Sequence, residues 1–281
     1  MYLTDFHLHS KYSPDGREEV REIAERAVLL GLSEICLTDH VDIYEREHPE
    51  PGHAQTGLGE YRFILGQVLD MQALCRDVEE AREEFKGKLK IRLGIELGSP
   101  QANPAVANAF LAKWPVDFII GSIHTMANDE DLFYYDFAKM DVEAFFHAYL
   151  QREIELAKDY DYDVIGHCTY PLRYLVERGF PLDMRLFMEE LRELFKIVIE
   201  RGKGIEFNVA GICRATKVLL PEIPLIKEYF SLGGEILTIG SDAHILDHVG
   251  APIREGMNLL KDAGIRYITT FEGRKPVFRE I

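Results

Sequence analysis

Residues 2–40 read YLTDFHLHSKYSPDGREEVREIAERAVLLGLSEICLTDH, and this stretch predicts one complete strand–helix–strand unit. Apolar runs at 2–8 and 34–38 have the length and composition of buried strands. Between them, 17–30 places apolar side chains at intervals of three and four residues, which predicts a helix. Gly31 follows, where a glycine commonly ends a helix. The unit therefore predicts two parallel strands joined by a helical crossover.

The same alternation continues through the rest of the chain. Further strand candidates lie at 91–97, 118–123, 163–166, 204–208 and 235–239, with a strand-like tail at 267–271. Helix candidates lie at 60–85, 142–157, 183–200, 222–230 and 254–262. Seven such units in 281 residues favour an α/β fold of the TIM-like (β/α) barrel type, which commonly has about 250 residues. A doubly wound open sheet is the alternative.

The composition predicts a single domain over 1–281. The chain is 47% hydrophobic, which is enough for one large core, and no linker divides it. One irregular stretch stands out at about 44–59, YEREHPEPGHAQTGLG, with two prolines and three glycines. A loop of this length in a compact domain is commonly functional, so we expect it to act as a lid.

The charge and the cysteines limit the partners and the location. The chain has 32 basic and 48 acidic residues, a net charge of −16, which disfavours binding to nucleic-acid phosphates. No apolar run approaches the roughly 20 residues that span a bilayer, and the first residues do not resemble a signal peptide. The four cysteines are far apart and predict reduced thiols. We expect a cytoplasmic protein that binds neither nucleic acid nor membrane.

Side chains that can bind metals occur where the predicted strands end. These residues are His7, His9, His40, Glu96, His124, His167, Asp242 and His244. In a parallel barrel all strand ends open on one face, so these side chains would converge there. Residues two apart on a strand point the same way, so the His7-x-His9 pair could hold one ion, and Asp242-x-His244 repeats the pattern.

The chemistry of this set indicates a metal centre for hydrolysis. Imidazole and carboxylate ligands without thiolates suit Zn, Mn or Fe. Eight ligands, or nine with Asp15, exceed the capacity of one ion, so we expect two to three divalent ions with a bridging carboxylate. His147 falls inside a predicted helix and is expected to be an ordinary packed or surface residue. His48 and His53 belong to the lid and could reach the site.

The order of these motifs, H-x-H, T-D-H, G-x-E, S-x-H, G-H and S-D-A-H, resembles that of the PHP (polymerase and histidinol phosphatase) family of metal-dependent phosphoesterases. The resemblance spans essentially the whole chain and implies a distorted seven-stranded barrel with a trinuclear cluster. It implies a first ion at His7, His9, Glu96 and Asp242, a second at Glu96, His124 and His167, and a third at Asp15, His40 and His244. Some relatives carry histidine where this chain has Asp15.

Within that family, three softer features resemble the histidinol-phosphate phosphatases. These are the insert after His40, the E-x-N-x-x-G-x-x-R segment at 206–214, and the R-K-P run at 274–276. The resemblance implies hydrolysis of L-histidinol phosphate, a small-molecule phosphate monoester, in histidine biosynthesis. A hydroxide bridging two ions would be the nucleophile.

Three residues are candidates for the remaining catalytic tasks. Arg214 is the first choice for gripping the phosphate and Arg173 the second, because a guanidinium matches two phosphate oxygens. Asp242 or a metal-bound water would protonate the leaving alcohol. Two other functions stay open: another PHP phosphoesterase acting on sugar phosphates, nucleotides or nucleic-acid ends, and a non-catalytic metal-binding module. A panel of substrates would distinguish them.

Overall fold

The main sheet is built from parallel strands. The computed structural model describes residues 1–44, 69–126 and 131–281. The strands of the main sheet are β1 (Thr4–Leu8), β2 (Glu34–Leu37), β3 (His40–Asp42), β4 (Lys90–Gly98), β5 (Phe118–Ser122), β6 (Val164–Ile165), β7 (Gly204–Asn208) and β8 (Leu237–Gly240). They pair in the order β1-β2-β4-β5-β6-β7-β8, and the short β3 pairs with the end of β4.

The sheet curves until its first and last strands meet. Leu8 and Ala243 form a parallel bridge, and the His9 amide donates to the Ala243 carbonyl at 3.0 Å. In return the Asp242 amide donates to the His7 carbonyl at 2.9 Å. The sheet is thus a nearly closed seven-stranded barrel, distorted at this seam, and the predicted fold class is confirmed.

Helices cover the outside of the barrel. They are α1 (Val20–Leu29), α2 (Met71–Glu84), α3 (Pro104–Lys113), α4 (Val142–Asp159), α5 (Leu172–Glu177), α6 (Met188–Glu200), α7 (Ile223–Ser231) and α8 (Ile253–Asp262). α1 shows why these segments are helical. Glu19 and Glu22 form a capping box at its start, and Ile23 and Ala27 are among the side chains it buries. Gly31 adopts a positive φ of 74° just after the helix, as its position predicted.

A β-hairpin closes the end of the barrel that is opposite the carboxyl ends of the strands. It consists of β9 (Tyr267–Glu272) and β10 (Lys275–Glu280), which pair antiparallel. Phe271 packs against Phe118 at the start of β5, with ring centroids 4.9 Å apart. The Arg274 amide donates to the Asp117 carbonyl at 2.9 Å, so the turn is tied to the same end. The tail at 267–271 is therefore a strand as expected, but its partner β10 was not predicted.

Several boundaries differ from the sequence expectations. β3 and α5 were not predicted because they have only three and six residues. α3 has ten residues but was not predicted because its apolar side chains show little helical periodicity. The helix predicted at 60–85 is observed as Met71–Glu84, and residues 60–68 lie outside the described part. The helix predicted at 183–200 begins with a 3₁₀ turn at Met184–Phe187. Beyond Tyr44 the predicted lid, with His48 and His53, lies outside the described residues, so its role stays a prediction.

Two further expectations concern the cysteines and the membrane. All four cysteines lie in the described part of the chain and carry free thiols. Among the described helices, none combines the length and apolar character needed to cross a bilayer. The single-domain boundary at 1–281 stays a prediction.

Candidate metal centre

The nine predicted ligand residues lie together at the carboxyl ends of the strands. Four overlapping groups place their ligand atoms within 4.8 Å of one another. These groups are His7, Glu96 and His167; His40, Glu96 and His124; His7, His9 and Asp242; and His9, His40 and His244. Asp15, in the loop after β1, lies with Oδ2 3.1 Å from His244 Nε2 and Oδ1 3.7 Å from His40 Nε2. The structure therefore brings the whole predicted set together, and its role in binding metal stays a prediction.

Glu96 is at the centre of this cluster. It lies on β4 and is completely buried. Its Oε1 is 2.9 Å from His167 Nε2 and 3.1 Å from His124 Nε2. Its Oε2 is 2.9 Å from His40 Nδ1 and 3.3 Å from His7 Nε2. The two carboxylate oxygens thus face different histidines, which is the arrangement that a carboxylate bridging two ions requires.

Asp242 faces His7 and His9, at the end of β1, from the other side of the seam. Its Oδ1 is 3.5 Å from His9 Nε2 and 3.7 Å from His7 Nε2. The His244 ring stacks on the His9 ring, with centroids 4.0 Å apart, and its Nδ1 donates to the Asp242 carbonyl at 3.0 Å. The first and last strands of the barrel therefore contribute to one constellation.

Acidic side chains outside the predicted set orient two of the imidazoles. His7 Nδ1 donates to Glu206 Oε1 at 2.6 Å, and His124 Nδ1 donates to Asp42 Oδ1 at 2.8 Å. In a neutral histidine that donates through Nδ1, the lone pair is on Nε2, which is then the atom that binds metal. The Asp42–His124 contact depends on Gly98, because a Cβ there would lie 1.8 Å from Asp42 Oδ1.

A hydroxyl group performs the same task for His9. His9 Nδ1 donates to Ser13 Oγ at 3.0 Å, and Ser13 Oγ donates to Asp39 Oδ1 at 2.7 Å. Asp39 also accepts the Ser10 amide at 2.7 Å, which fixes the loop after β1. Because Asp39 adjoins His40, this network links the first two strand ends.

The inner atoms of the cluster show that its residues fit divalent ions. Several buried side-chain atoms have no hydrogen-bond partner in the described part of the chain. Among them are His7 Nε2, His9 Nε2, His40 Nδ1 and Glu96 Oε2. Leaving such atoms buried and unpaired is costly, and four of them facing one another are explained if cations occupy the space between them. The donor set of imidazoles and carboxylates suits Zn, Mn or Fe.

The charges within the cluster hold Glu96 and His9 in forms that can bind a cation. Against the effect of burial, neighbouring carboxylates raise the pKa of His7 and His124 well above its usual value, so these two rings would release a proton when a cation binds. Burial would raise the pKa of Glu96, but His124 and His7 outweigh it and hold that pKa well below its usual range. Burial, together with the charges of His244 and His40, holds the pKa of His9 well below its usual range, so that ring is neutral. Ionised carboxylates and neutral imidazoles are the forms that metal binding needs.

Two of the predicted ligands have unusual backbone conformations. His167 has a φ of 21° and Asp242 a φ of 52°, in the region that favours glycine. Such residues persist where the surrounding structure fixes them, and they are commonly found at functional sites. The His167 amide donates to Glu206 Oε2 at 2.8 Å, so Glu206 supports two members of the cluster.

The two candidate arginines lie in different environments. Arg173, on α5, is buried, and its Nη2 donates to Asp242 Oδ2 at 2.7 Å and to Asn208 Oδ1 at 3.4 Å. Burial would raise the pKa of Asp242, but Arg173 and His7 hold it well below its usual range. Arg214 is exposed, at the end of the 3₁₀ turn after β7. The second-choice arginine thus already contacts the cluster, whereas a role for Arg214 stays a prediction.

Sequence reasoning gave no role to the acids that orient the imidazoles. Glu206 belongs to the E-x-N-x-x-G-x-x-R segment. It lies two residues before Asn208 on β7, so strand geometry indicated that the side chains of Glu206 and Asn208 face the same side of the sheet. Asp42 follows His40 by two residues and lies on β3, which was not predicted as a strand. His147 lies on α4 and pairs with Glu190, away from the cluster, as expected.

Comparison with known proteins agrees with this arrangement. The family model described as the PHP domain matches residues 5–210. The chain belongs to the PHP family. Three quarters of it lie in the matched region, which extends from β1 to the 3₁₀ turn after β7 and so includes every predicted ligand except Asp242 and His244.

Individual PHP relatives match over nearly the whole chain. A histidinol-phosphatase of Lactococcus lactis is 27% identical over 288 residues, covering 98% of this chain and 96% of the relative. A probable histidinol-phosphatase of Thermotoga maritima is 28% identical over 276 residues and covers 98% of both chains. A solved structure of the Lactococcus lactis histidinol phosphate phosphatase, in complex with Zn, L-histidinol and phosphate, has a TM-score of 0.81 at 26% identity and covers 98% of both chains.

Proposed function

We propose that this PHP protein is a metal-dependent phosphomonoesterase that hydrolyses L-histidinol phosphate. The observation that carries the proposal is the cluster of buried, unpaired ligand atoms around Glu96, beside a buried guanidinium. Relatives named histidinol-phosphatase that match over nearly the whole chain support the substrate. Two to three ions would occupy the cluster, with Glu96 as the bridging ligand, and zinc is the first candidate because the similar structure contains it.

The residues of the site would have separate roles in the reaction. Divalent ions supply charge neutralisation for the phosphate and lower the pKa of a water molecule, which makes it a nucleophile. Glu206, Ser13 and Asp42 orient the imidazoles by accepting from their Nδ1 atoms. Arg173 brings a fixed positive charge to the edge of the cluster, where it can bind phosphate oxygens with little reorganisation. Arg214 would add a second guanidinium from the exposed rim. Asp242 is ionised, because Arg173 and His7 hold its pKa well below its usual range, so it would have to take up the proton of the attacking water before it could protonate the leaving alcohol.

The rim beside His124 suits the leaving group of this substrate. Tyr170 lies with its ring centroid 5.5 Å from that of His124, and its hydroxyl is 2.6 Å from that of Tyr174. Phe133 contacts Tyr174 edge to face and is partly exposed. The Asp131 carboxyl is close enough for its charge to act on both tyrosines. Aromatic rings and a carboxyl group favour a planar imidazole and an amine over a sugar.

A substrate panel with metal analysis tests the proposal. We expect the zinc-loaded protein to release phosphate from L-histidinol phosphate with a kcat/KM about a hundredfold or more above those for glucose 6-phosphate and AMP. The diester bis(p-nitrophenyl) phosphate should be a poor substrate. Glu96→Gln is the matched inactive control, because it keeps the shape of the side chain and removes its charge.

Each alternative outcome has a distinct meaning. Preference for a sugar phosphate or a nucleotide would keep the phosphatase chemistry and overturn the substrate. Metal-loaded protein that hydrolyses none of these compounds would favour a non-catalytic metal-binding module. The histidine-biosynthetic role and a cytoplasmic location follow only if the substrate is correct.

A further inference from the structure

Glu153 is a completely buried carboxyl group outside the cluster. It lies on the inward face of α4, among apolar neighbours that include Phe146 and Leu156. Carboxyl groups are rarely buried in this way, because transfer from water to an apolar environment is costly without compensating contacts. An apolar side chain of similar size could fill the same space. The contacts that Glu153 makes should therefore show why a carboxyl group is present there.

The contacts of Glu153 lead toward the cluster. The Tyr149 hydroxyl donates to Glu153 Oε1 at 2.5 Å, and both side chains are fully buried. Glu153 Oε2 is buried and has no hydrogen-bond partner among the described residues. Burial raises the pKa of the Tyr149 phenol, and the backbone amide of Tyr170, on the other side of that phenol, lies close enough to oppose the shift. A line of polar groups thus runs from α4 to the turn after β6.

Tyr170 is the central residue of that turn. Its ring centroid lies 4.7 Å from that of His167 and 5.5 Å from that of His124. The Arg173 guanidinium lies 5.1 Å from the same ring centroid. Tyr170 therefore lies beside two predicted ligands and the buried arginine, and a shift of its backbone would displace His167 and Arg173, which belong to the same turn.

The turn also needs external support. His167, at its start, has a positive φ of 21°, a conformation that a histidine keeps only when neighbouring groups fix it. Glu206 holds the start of the turn by accepting a hydrogen bond from the His167 amide. Tyr149 meets the turn three residues later, at Tyr170.

We propose that Glu153 and Tyr149 form a positioning pair that holds the turn 167–173, and with it His167 and Arg173, against the cluster. The pair touches no substrate and acts through Tyr170. The turnover measurements below rest on the proposed function, whereas the zinc measurement does not.

The protonation state of Glu153 gives the pair a dependence on pH. The ionisable groups facing it are Tyr149 and Arg152 on α4, His124 after β5, and Tyr162 and Cys168 on either side of β6. Burial raises the pKa of Glu153 to about 8, against the opposing effects of Tyr149 and His124. The neutral acid is the stable buried form, so its contribution is complete below the ordinary pKa of glutamate and is lost as the pH rises through about 8. Above that pH the buried charge would weaken the hold on the turn.

Three variants and a matched control test the pair. Tyr149→Phe removes the hydroxyl link, and Glu153→Ala removes its anchor. Both should lower kcat/KM for histidinol phosphate by about tenfold, the effect of losing one buried hydrogen bond. Glu153→Gln keeps the shape and stays neutral, so it should recover most of the loss and lack the decline that we expect of the wild type above about pH 8. Tyr229→Phe is the control, because this buried tyrosine of α7 donates to the Ile236 carbonyl at 3.0 Å and is not among the groups that face Glu153.

The outcomes separate this proposal from the proposed function. Folded Tyr149→Phe and Glu153→Ala with wild-type kcat/KM would overturn it, as would an unchanged alkaline decline in Glu153→Gln. If Glu153→Ala fails to fold, the kcat/KM of Tyr149→Phe and the alkaline decline of Glu153→Gln test the proposal in its place. If the wild type does not hydrolyse histidinol phosphate, competition with a zinc chelator decides. Tyr149→Phe should then lose zinc at a lower chelator concentration than Tyr229→Phe, and equal retention would contradict the pair.

Discussion

Replacing Arg173 with alanine removes the guanidinium that holds Asp242 in place. Arg173 is 7% exposed, and its Nη2 lies 2.7 Å from Asp242 Oδ2. In the variant the Asp242 carboxylate keeps Asn208 Nδ2, at 3.2 Å, as a neutral donor. Breaking a buried ion pair from one side costs about 3–5 kcal/mol. Because Asn208 and His7 remain beside Asp242, we expect the lower end, about 3 kcal/mol.

Urea unfolding and steady-state kinetics measure the two consequences. The free energy of unfolding should fall by about 3 kcal/mol, and kcat/KM by at least about a hundredfold if the guanidinium also binds phosphate, since charge-assisted hydrogen bonds contribute roughly 1.5–3 kcal/mol each. Lysine at this position should restore only part of the loss, because it has the charge without the planar fork.

The exposed Arg214 provides the comparison. Arg214→Ala should change the free energy of unfolding by less than about 0.5 kcal/mol, as is usual at the surface. If it grips the phosphate, kcat/KM falls by about ten- to a hundredfold with metal content unchanged. Normal turnover in Arg214→Ala would assign the grip to Arg173. Wild-type stability and turnover in Arg173→Ala would refute the importance of the Asp242 ion pair.

Three further experiments address the cluster. Glu96→Gln and His7→Ala should abolish turnover, whereas His147→Ala should leave it nearly intact because that ring lies on α4 away from the strand ends; equal losses in all three would mean that the strand-end assignment is wrong. Elemental analysis with anomalous scattering should find at least two ions near Glu96, and one isolated ion would contradict a bridging role. Glu206→Gln should weaken zinc binding by about 10–100-fold, measured by chelator competition, because one amide oxygen without charge replaces the two carboxylate oxygens that accept from His7 Nδ1 and the His167 amide; unchanged affinity would argue against those contacts.

The sequence predicted the positions of the ligands because their placement follows from local rules. His7 and His9 end an apolar run and are two residues apart, so strand geometry alone puts them on one face. His124 and His167 also follow short apolar runs, and a parallel barrel gathers such ends at one mouth. The alternation of strands and helices favoured a barrel over a doubly wound open sheet, and the resemblance to the PHP family implied the distorted seven-stranded form. These inferences needed no knowledge of which side chains meet.

The groups that support the ligands depend on contacts between distant segments. Glu206 bonds to His7 across 199 residues, and Asp42 bonds to His124 across 82. Nothing in the local sequence distinguishes these acids from solvated ones. The sequence around Glu153 has the periodicity of a helix, but only the packing of α4 shows that the Glu153 side chain is buried. Arg173 lies in α5, a helix of six residues that is too short to produce a recognisable period.

The seam between β1 and β8 has a consequence for folding. The Ser241 amide donates to Asp5 Oδ1 there, and these residues are 236 positions apart in the sequence. Contacts of such separation form late and slow the folding of the chains that depend on them. The pairs His7-x-His9 and Asp242-x-His244 lie on opposite sides of this seam, so they meet only after the intervening units have docked. We therefore expect the complete cluster to form only when the barrel closes, and high-affinity zinc uptake during refolding should report that moment.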